Sequence, residues 1–248
     1  MPATFPGGIK NFGVDRANLD YIPASDTNDL RAEVVALETV ALAGWVQQTE
    51  AWYYGTPSAF IVVGDRTAFY TKGRRIRWMH VSTYRYGVIV SAVYQAPNTL
   101  VTILVNNDYV FSNLAFLNTA VSDLDDPPGW PGWFAWLPAY SASGSMTFTA
   151  VTTQLAKYRV AGRACQFMFR ASGTLGGVAG TGVYITCPVA PVVVTGTFLP
   201  FTAGNSETAA GAGVLDTVTP RLMVQRYDAG NYGLAAGKVV YGEGFYEW

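Results

Sequence analysis

Short runs of β-branched and aromatic residues, punctuated by Gly, Pro, Asn and Asp, cover most of this chain. Strands are expected at Phe60–Val63, Ala68–Tyr70, Ile76–Val81, Val88–Tyr94 and Leu100–Val105. Turn signals separate them at Gly64–Asp65, Lys72–Gly73, Ala96–Pro97–Asn98 and Asn106–Asn107–Asp108. A second set follows at Ser145–Ala150, Leu155–Val160, Arg163–Ala171, Gly182–Thr186, Val192–Phe198, Arg221–Tyr227 and Lys238–Trp248. The glycine-rich stretches Ser172–Gly182 and Ala203–Gly213 read as loops between these strands.

One segment keeps a helical period instead. Leu30, Val34, Leu37 and Ala41 are spaced 4, 3 and 4 residues apart, after the N-cap types Ser25, Asp26 and Thr27 and before a stop at Gly44. The spacing is the narrow stripe of a coiled-coil seam, with a mean period of about 3.5 residues. Such a short helix is marginal alone. It either packs on its own domain or joins copies of itself in a bundle. The arm before it supplies no core, which favours the bundle.

These elements divide the chain into four parts. Residues 1–44 are an extended arm and oligomerisation helix, and 45–122 a small antiparallel β barrel or sandwich. Residues 123–137 form a stiff Pro- and Trp-rich linker, and 138–248 a jelly-roll-like β-sandwich. The fold class is mainly β.

Half of the 248 residues are hydrophobic and 13% are charged, about half the usual charged fraction. No apolar run reaches the roughly 18–20 residues that span a bilayer as a helix, so membrane insertion is not expected. Low charge instead suits a surface covered in an assembly. Net charge is −1, and Lys72, Arg74, Arg75 and Arg77 form the only dense basic cluster, so a nucleic-acid partner is not expected either. The N-terminus has no secretory h-region. Cys165 and Cys187 fall in phase with core positions, and buried free thiols are expected rather than a disulfide.

Chemistry-bearing motifs are sparse. His80 is the sole histidine and lies in an expected strand, which leaves Ser-His-Asp and Cys-His mechanisms dependent on one residue. Phosphate-loop, metalloprotease and C-x-x-C spacings are missing, and no metal or other cofactor is expected. Asp123, Asp125 and Asp126 lack the glycine and glutamate of a calcium loop. A two-carboxylate polysaccharide hydrolase would draw on Glu207, Asp216, Asp228, Glu243 and Glu247. Aromatic residues are the positive signal: Trp130, Trp133, Phe134, Trp136 and Tyr140 fall within 11 residues. They serve either as a hydrophobic plug or interface, or as stacking faces for sugar. Trp133 and Tyr232, the latter in the Asn231–Gly233 loop, are the candidate glycan contacts.

Longer phrases carry a resemblance. FPGGIKNF and IPASDTNDLRAEVVALE resemble the opening of phage minor structural and tail-fibre proteins. TPSAFIVVGDRTAFYTKGRRIRW and YGVIVSAVYQAPNTLVTILVNND are similar to a small β domain of such proteins. SASGSMTFTAVTTQLAKYRVAGRACQFMFRASGT and the closing YGEGFYEW resemble fibre-tip sandwiches. The resemblance implies virion attachment through Phe5, Ile9 and Phe12 and oligomerisation through Leu30, Val34, Leu37 and Ala41. It also implies a homotrimeric short fibre or spike with a glycan-binding domain that contacts a host receptor. Such a protein is assembled in the host cytoplasm among other virion proteins. Repetitive shaft sequence is missing, which favours a short fibre, spike, head fibre or decoration protein over a long tail fibre. A non-catalytic role is expected, with a capsule depolymerase and a purely structural decoration protein as the alternatives.

Overall fold

A computed structural model describes residues 28–32, 34–35, 44–107, 109, 116–192, 198–206, 211–216 and 219–248. The chain is mainly β, with antiparallel sheets, as its residue pattern requires. It divides into two compact units, Met1–Ile103 with Phe111–Trp130, and Leu104–Val110 with Pro131–Trp248.

The first unit holds β1 (Val46–Gln47), β2 (Tyr53–Thr56), β3 (Ala59–Val63), β4 (Arg75–His80), β5 (Thr83–Gln95), most of β6 (Asn98–Val105) and β7 (Leu117–Ser122). They form one seven-stranded sheet in the order β1-β7-β4-β5-β6-β3-β2. One face carries the aromatic core. Trp52 stacks on Phe60 at 4.1 Å, and Tyr70 meets Phe60 edge-on at 5.5 Å. The Trp52 indole donates to the Tyr70 hydroxyl at 2.9 Å, and that hydroxyl donates to Glu50. Burial first, then Glu50, pushes the Tyr70 phenol well above its usual range.

Ala68–Tyr70, expected as strand, is a turn. The Phe69 and Tyr70 amides both bond the Arg66 carbonyl, and the aromatic residues that suggested a strand are there to drop Tyr70 into the core. Between β4 and β5 a two-residue turn puts Val81 at φ +57°, a strained conformation for a β-branched residue.

The stretch 123–130, expected to be the first part of a stiff linker, belongs to this unit. Asp123 accepts a hydrogen bond from Arg74 Nη2 at 2.9 Å and forms an ion pair with its Nε at 2.8 Å. Asp125 pairs with Arg75 at 2.8 Å. Arg75 is 1% exposed and also donates to the backbone carbonyls of Gly73 and Asp125. Behind them Trp130 packs edge-on against Tyr86, and the Trp45 indole donates to the Pro128 carbonyl. The acids are therefore counter-charges for the basic cluster, and the unit continues to Trp130.

In the second unit the strands are β8 (Phe134–Ala135), β9 (Tyr140–Ala142), β10 (Met146–Ala161), β11 (Ala164–Gly177), β12 (Gly182–Thr186), β13 (Phe198–Asn205), β14 (Gly211–Asp216), β15 (Arg221–Arg226) and β16 (Lys238–Glu247). Their order is β8-β10-β11-β16-β13-β14-β15-β12-β9. The first half of β13 pairs with β14 and the second half with β16, so this strand passes from one layer of the sandwich to the other. The end strands β8 and β9 are neighbours in sequence and join the opposite limits of the sheet.

Cys165, Phe167, Phe169, Val183, Ile185, Leu222, Val224, Val240 and Tyr246 are buried. Phe167 and Phe169 stand directly opposite Gly244 and Gly242 of β16, and their rings cover strand positions without side chains. Glycine misled the strand boundaries here. Residues 172–177 continue β11 and 203–205 complete β13, where loops were expected. At Gly173 a Cβ would lie 2.7 Å from the Phe148 ring, and at Gly211 it would lie 2.4 Å from Gly204 Cα. These glycines permit close approach rather than turning.

Candidate functional site

On its outward face the β10–β11–β16 layer carries a trough of about 480 Å³, lined by Leu155, Met168, Phe169, Arg170, Tyr241, Gly242 and Glu243. Strand register sets the pattern. Leu155 faces Arg170, which faces Tyr241, which faces Gly204; in the next row Met168 faces Glu243. A register shift in β10 between Thr153 and Leu155 brings Leu155 into the first row.

β16 builds the wall by an unusual alternation, Tyr241-Gly-Glu243-Gly-Phe245. The glycines are on the inner face beneath Phe167 and Phe169, and the large side chains point outward. Tyr241 is 47% exposed and Phe245 72%. The Tyr241 ring lies across Gly204: a Cβ there would be 2.1 Å from Cζ and 2.2 Å from the hydroxyl.

Charge in the trough is unpaired. Among the described residues Arg170 and Glu243 make no ion pair or side-chain hydrogen bond, although they occupy diagonal positions on adjacent strands. The other described acids of this unit that were candidate catalysts each hold an arginine. Asp216 pairs with Arg221 at 3.2 Å, Asp228 with Arg226 at 2.6 Å, and Glu247 with Arg163. The hydrogen bond from Arg226, assisted by the Gly230 amide, lowers the Asp228 carboxyl to about 2. Glu207 lies outside the described residues. Among the described residues Glu243 is thus the one carboxylate lining the trough. Among the described residues no three His, Cys, Asp or Glu side chains come together as a metal-holding group.

The expected contact residues fare differently. Tyr232 is 2% exposed, its hydroxyl donating to the Val224 carbonyl and accepting from Asn205, so its ring is core and offers no face to a ligand. Trp133 is half-buried, with the Arg159 guanidinium 5.3 Å from its ring centroid. The rest of the aromatic cluster is divided between the units. Trp130 packs with Tyr86 and Trp45, whereas Phe134 and Trp136 are buried around Tyr158.

Leu30 and Val34, in the helical residues 28–32 and 34–35, are 52% and 44% exposed. Phe5, Ile9, Phe12, Leu37 and Ala41 lie outside the described residues. His80 ends β4 and lines no part of the trough. Both cysteines are free thiols, as expected, and burial pushes each up to about 12. Among the described residues no helix is long and apolar enough to cross a membrane.

Sequence reading reached Glu243 as an acid but missed Tyr241, Arg170, Met168 and Leu155. The available signal was YGEGFYE itself, where glycine alternates with bulky residues and one face of the strand must project every large side chain. Compared with known proteins, the chain matches no family model, no curated protein and no solved structure.

Proposed function

We propose that the chain is a structural and adhesive subunit of a phage virion, a homotrimeric short fibre or spike that contacts a host-surface glycan through the outer trough of its second unit. The observation that carries the adhesive part is the trough itself: an exposed tyrosine beside one arginine and one carboxylate, all on rigid strands. Flat aromatic faces with a few polar groups suit carbohydrate. A glycosidase of the usual kind needs two carboxylates flanking the bond, and the other described acids of this unit are tied to arginines. Among the described residues, that favours binding over hydrolysis. The virion assignment rests on the phrase-level resemblance of the sequence. Trimerisation is supported by the exposed Leu30 and Val34, which are on the coiled-coil stripe and need a partner.

The test is adsorption of particles carrying Tyr241→Ala to host cells. Reduced adsorption with normal particle assembly supports the reading. Unchanged adsorption removes the receptor role, and loss of particle stability on deletion of the chain would then favour a decoration protein. Shortening of purified host polysaccharide would make the protein an enzyme, with Glu243 the first residue to replace. Light scattering on the purified chain should give a trimer mass, and a monomer at micromolar concentration refutes the assembly.

A further inference from the structure

We infer that the trough is selective for a neutral hexopyranose over an acidic sugar, a conclusion that rests on the sugar-contact reading above and narrows it. Arg170 and Glu243 face the same space from adjacent strands, with Tyr241 opposite the first and Met168 opposite the second. Residues diagonal to one another on adjacent strands are roughly 7–8 Å apart, within reach of long side chains. Yet among the described residues these two are not paired with each other or with any other side chain. The trough therefore presents an open donor and an open acceptor together.

Few ligand classes satisfy both. A sugar hydroxyl donates one hydrogen bond and accepts others, so vicinal hydroxyls meet the guanidinium and the carboxylate at once. A uronate or sialate carboxylate would meet Arg170 but bring a like charge to Glu243. An amino sugar would meet Glu243 but repel Arg170. A wholly apolar ligand would take water from both charges and return nothing. The C–H face of the pyranose then lies on the exposed Tyr241 ring, with Leu155 and Met168 supplying the apolar remainder. The volume of about 480 Å³ is in the range of small-ligand sites.

Gly204 is the positioning residue. Tyr241 reaches its place only because position 204 has no side chain, since a Cβ there would be 2.1 Å from the ring. This gives the inference a second handle that does not touch the sugar.

The experiment uses the full chain and ligand-observed NMR titration with glucose, galactose, mannose and rhamnose, against glucuronate and N-acetylneuraminate. One or more of the neutral sugars should saturate, and neither acid should compete. Tyr241→Ala should weaken that sugar by roughly tenfold, as expected for one lost aromatic contact. Gly204→Ala should do the same with an unchanged far-ultraviolet spectrum. Glu243→Gln should keep the neutral sugar and admit glucuronate, which a merely structural role for Glu243 would not produce. If glucuronate binds the unaltered chain as well as the neutral sugars do, the selectivity is overturned while the glycan reading stands. If no sugar in the panel saturates and Tyr241→Ala particles adsorb normally, both fall.

Discussion

Replacing Asp125 by Asn should destabilise the first unit by about 2 kcal/mol, a figure bracketed by two limits. Removing one partner of a fully buried ion pair costs about 3–5 kcal/mol, and an exposed pair is worth about 0.2–1 kcal/mol. Here the two sides differ: the Arg75 side chain is 1% exposed, and Asp125 is 62% exposed. The guanidinium cannot return to water when its counter-charge is removed, but it keeps the carbonyls of Gly73 and Asp125 and the nearby charge of Asp126. An intermediate cost follows, and for a unit of this size it corresponds to a fall in Tm of roughly 5–10 °C. Scanning calorimetry on the full chain is the assay, because the units can melt separately and the shift should fall on one transition. The Arg75→Met, Asp125→Asn double variant should lose less than the sum of the single changes, since it leaves no buried charge behind. A change under about 0.5 kcal/mol in Asp125→Asn, or strict additivity in the double variant, would refute the reasoning.

Val81→Gly should raise the stability of the same unit by about 1 kcal/mol, measured by denaturant titration, because φ +57° costs a β-branched residue and not glycine. Cys165 and Cys187 should react slowly with a thiol reagent at neutral pH in the native protein, and both should react at once in guanidinium; a missing pair of thiols after unfolding would instead mean a disulfide. The Asp228 carboxyl should titrate near 2 by NMR and move back towards 3.8 in Arg226→Gln. Because its folded value is depressed, its contribution to stability is present above pH 3.8 and is lost as pH falls through about 2.

Much of the fold was legible because one-sided burial imprints a period of two. Gly182–Thr186 is found at its expected bounds, and the alternation of Cys165, Phe167 and Phe169 marks the core face of β11. The failures have physical causes. β1 and β2 are short and lack a clean alternation, so nothing local announces them. Tyr70 resembles a strand residue by type but is a turn residue held by Trp52 and Glu50. Asp125 and Arg75 are 50 residues apart in sequence and neither advertises the other. Glycines at 173 and 204 resemble loop residues until the ring that needs their space is seen. The trough was hidden for a related reason: Arg170 and Tyr241 come from different strands, and only register makes them neighbours.

That register also limits how the molecule can meet others of its kind. The end strands of both sheets are the shortest ones, β1 and β8 with 2 residues, β9 with 3 and β2 with 4, whereas β10 and β11 inside the second sheet run to 16 and 14. A long unpaired strand is a template for another chain, and a stub of two to four residues offers too few backbone bonds to seed one. At those ends, copies held side by side would have few main-chain bonds to share, whereas β10, which meets β8 only at Lys157 and Tyr158, keeps the longer edge. At the stubs, neighbouring copies would meet through side chains, which leaves the choice of contact there to surface chemistry.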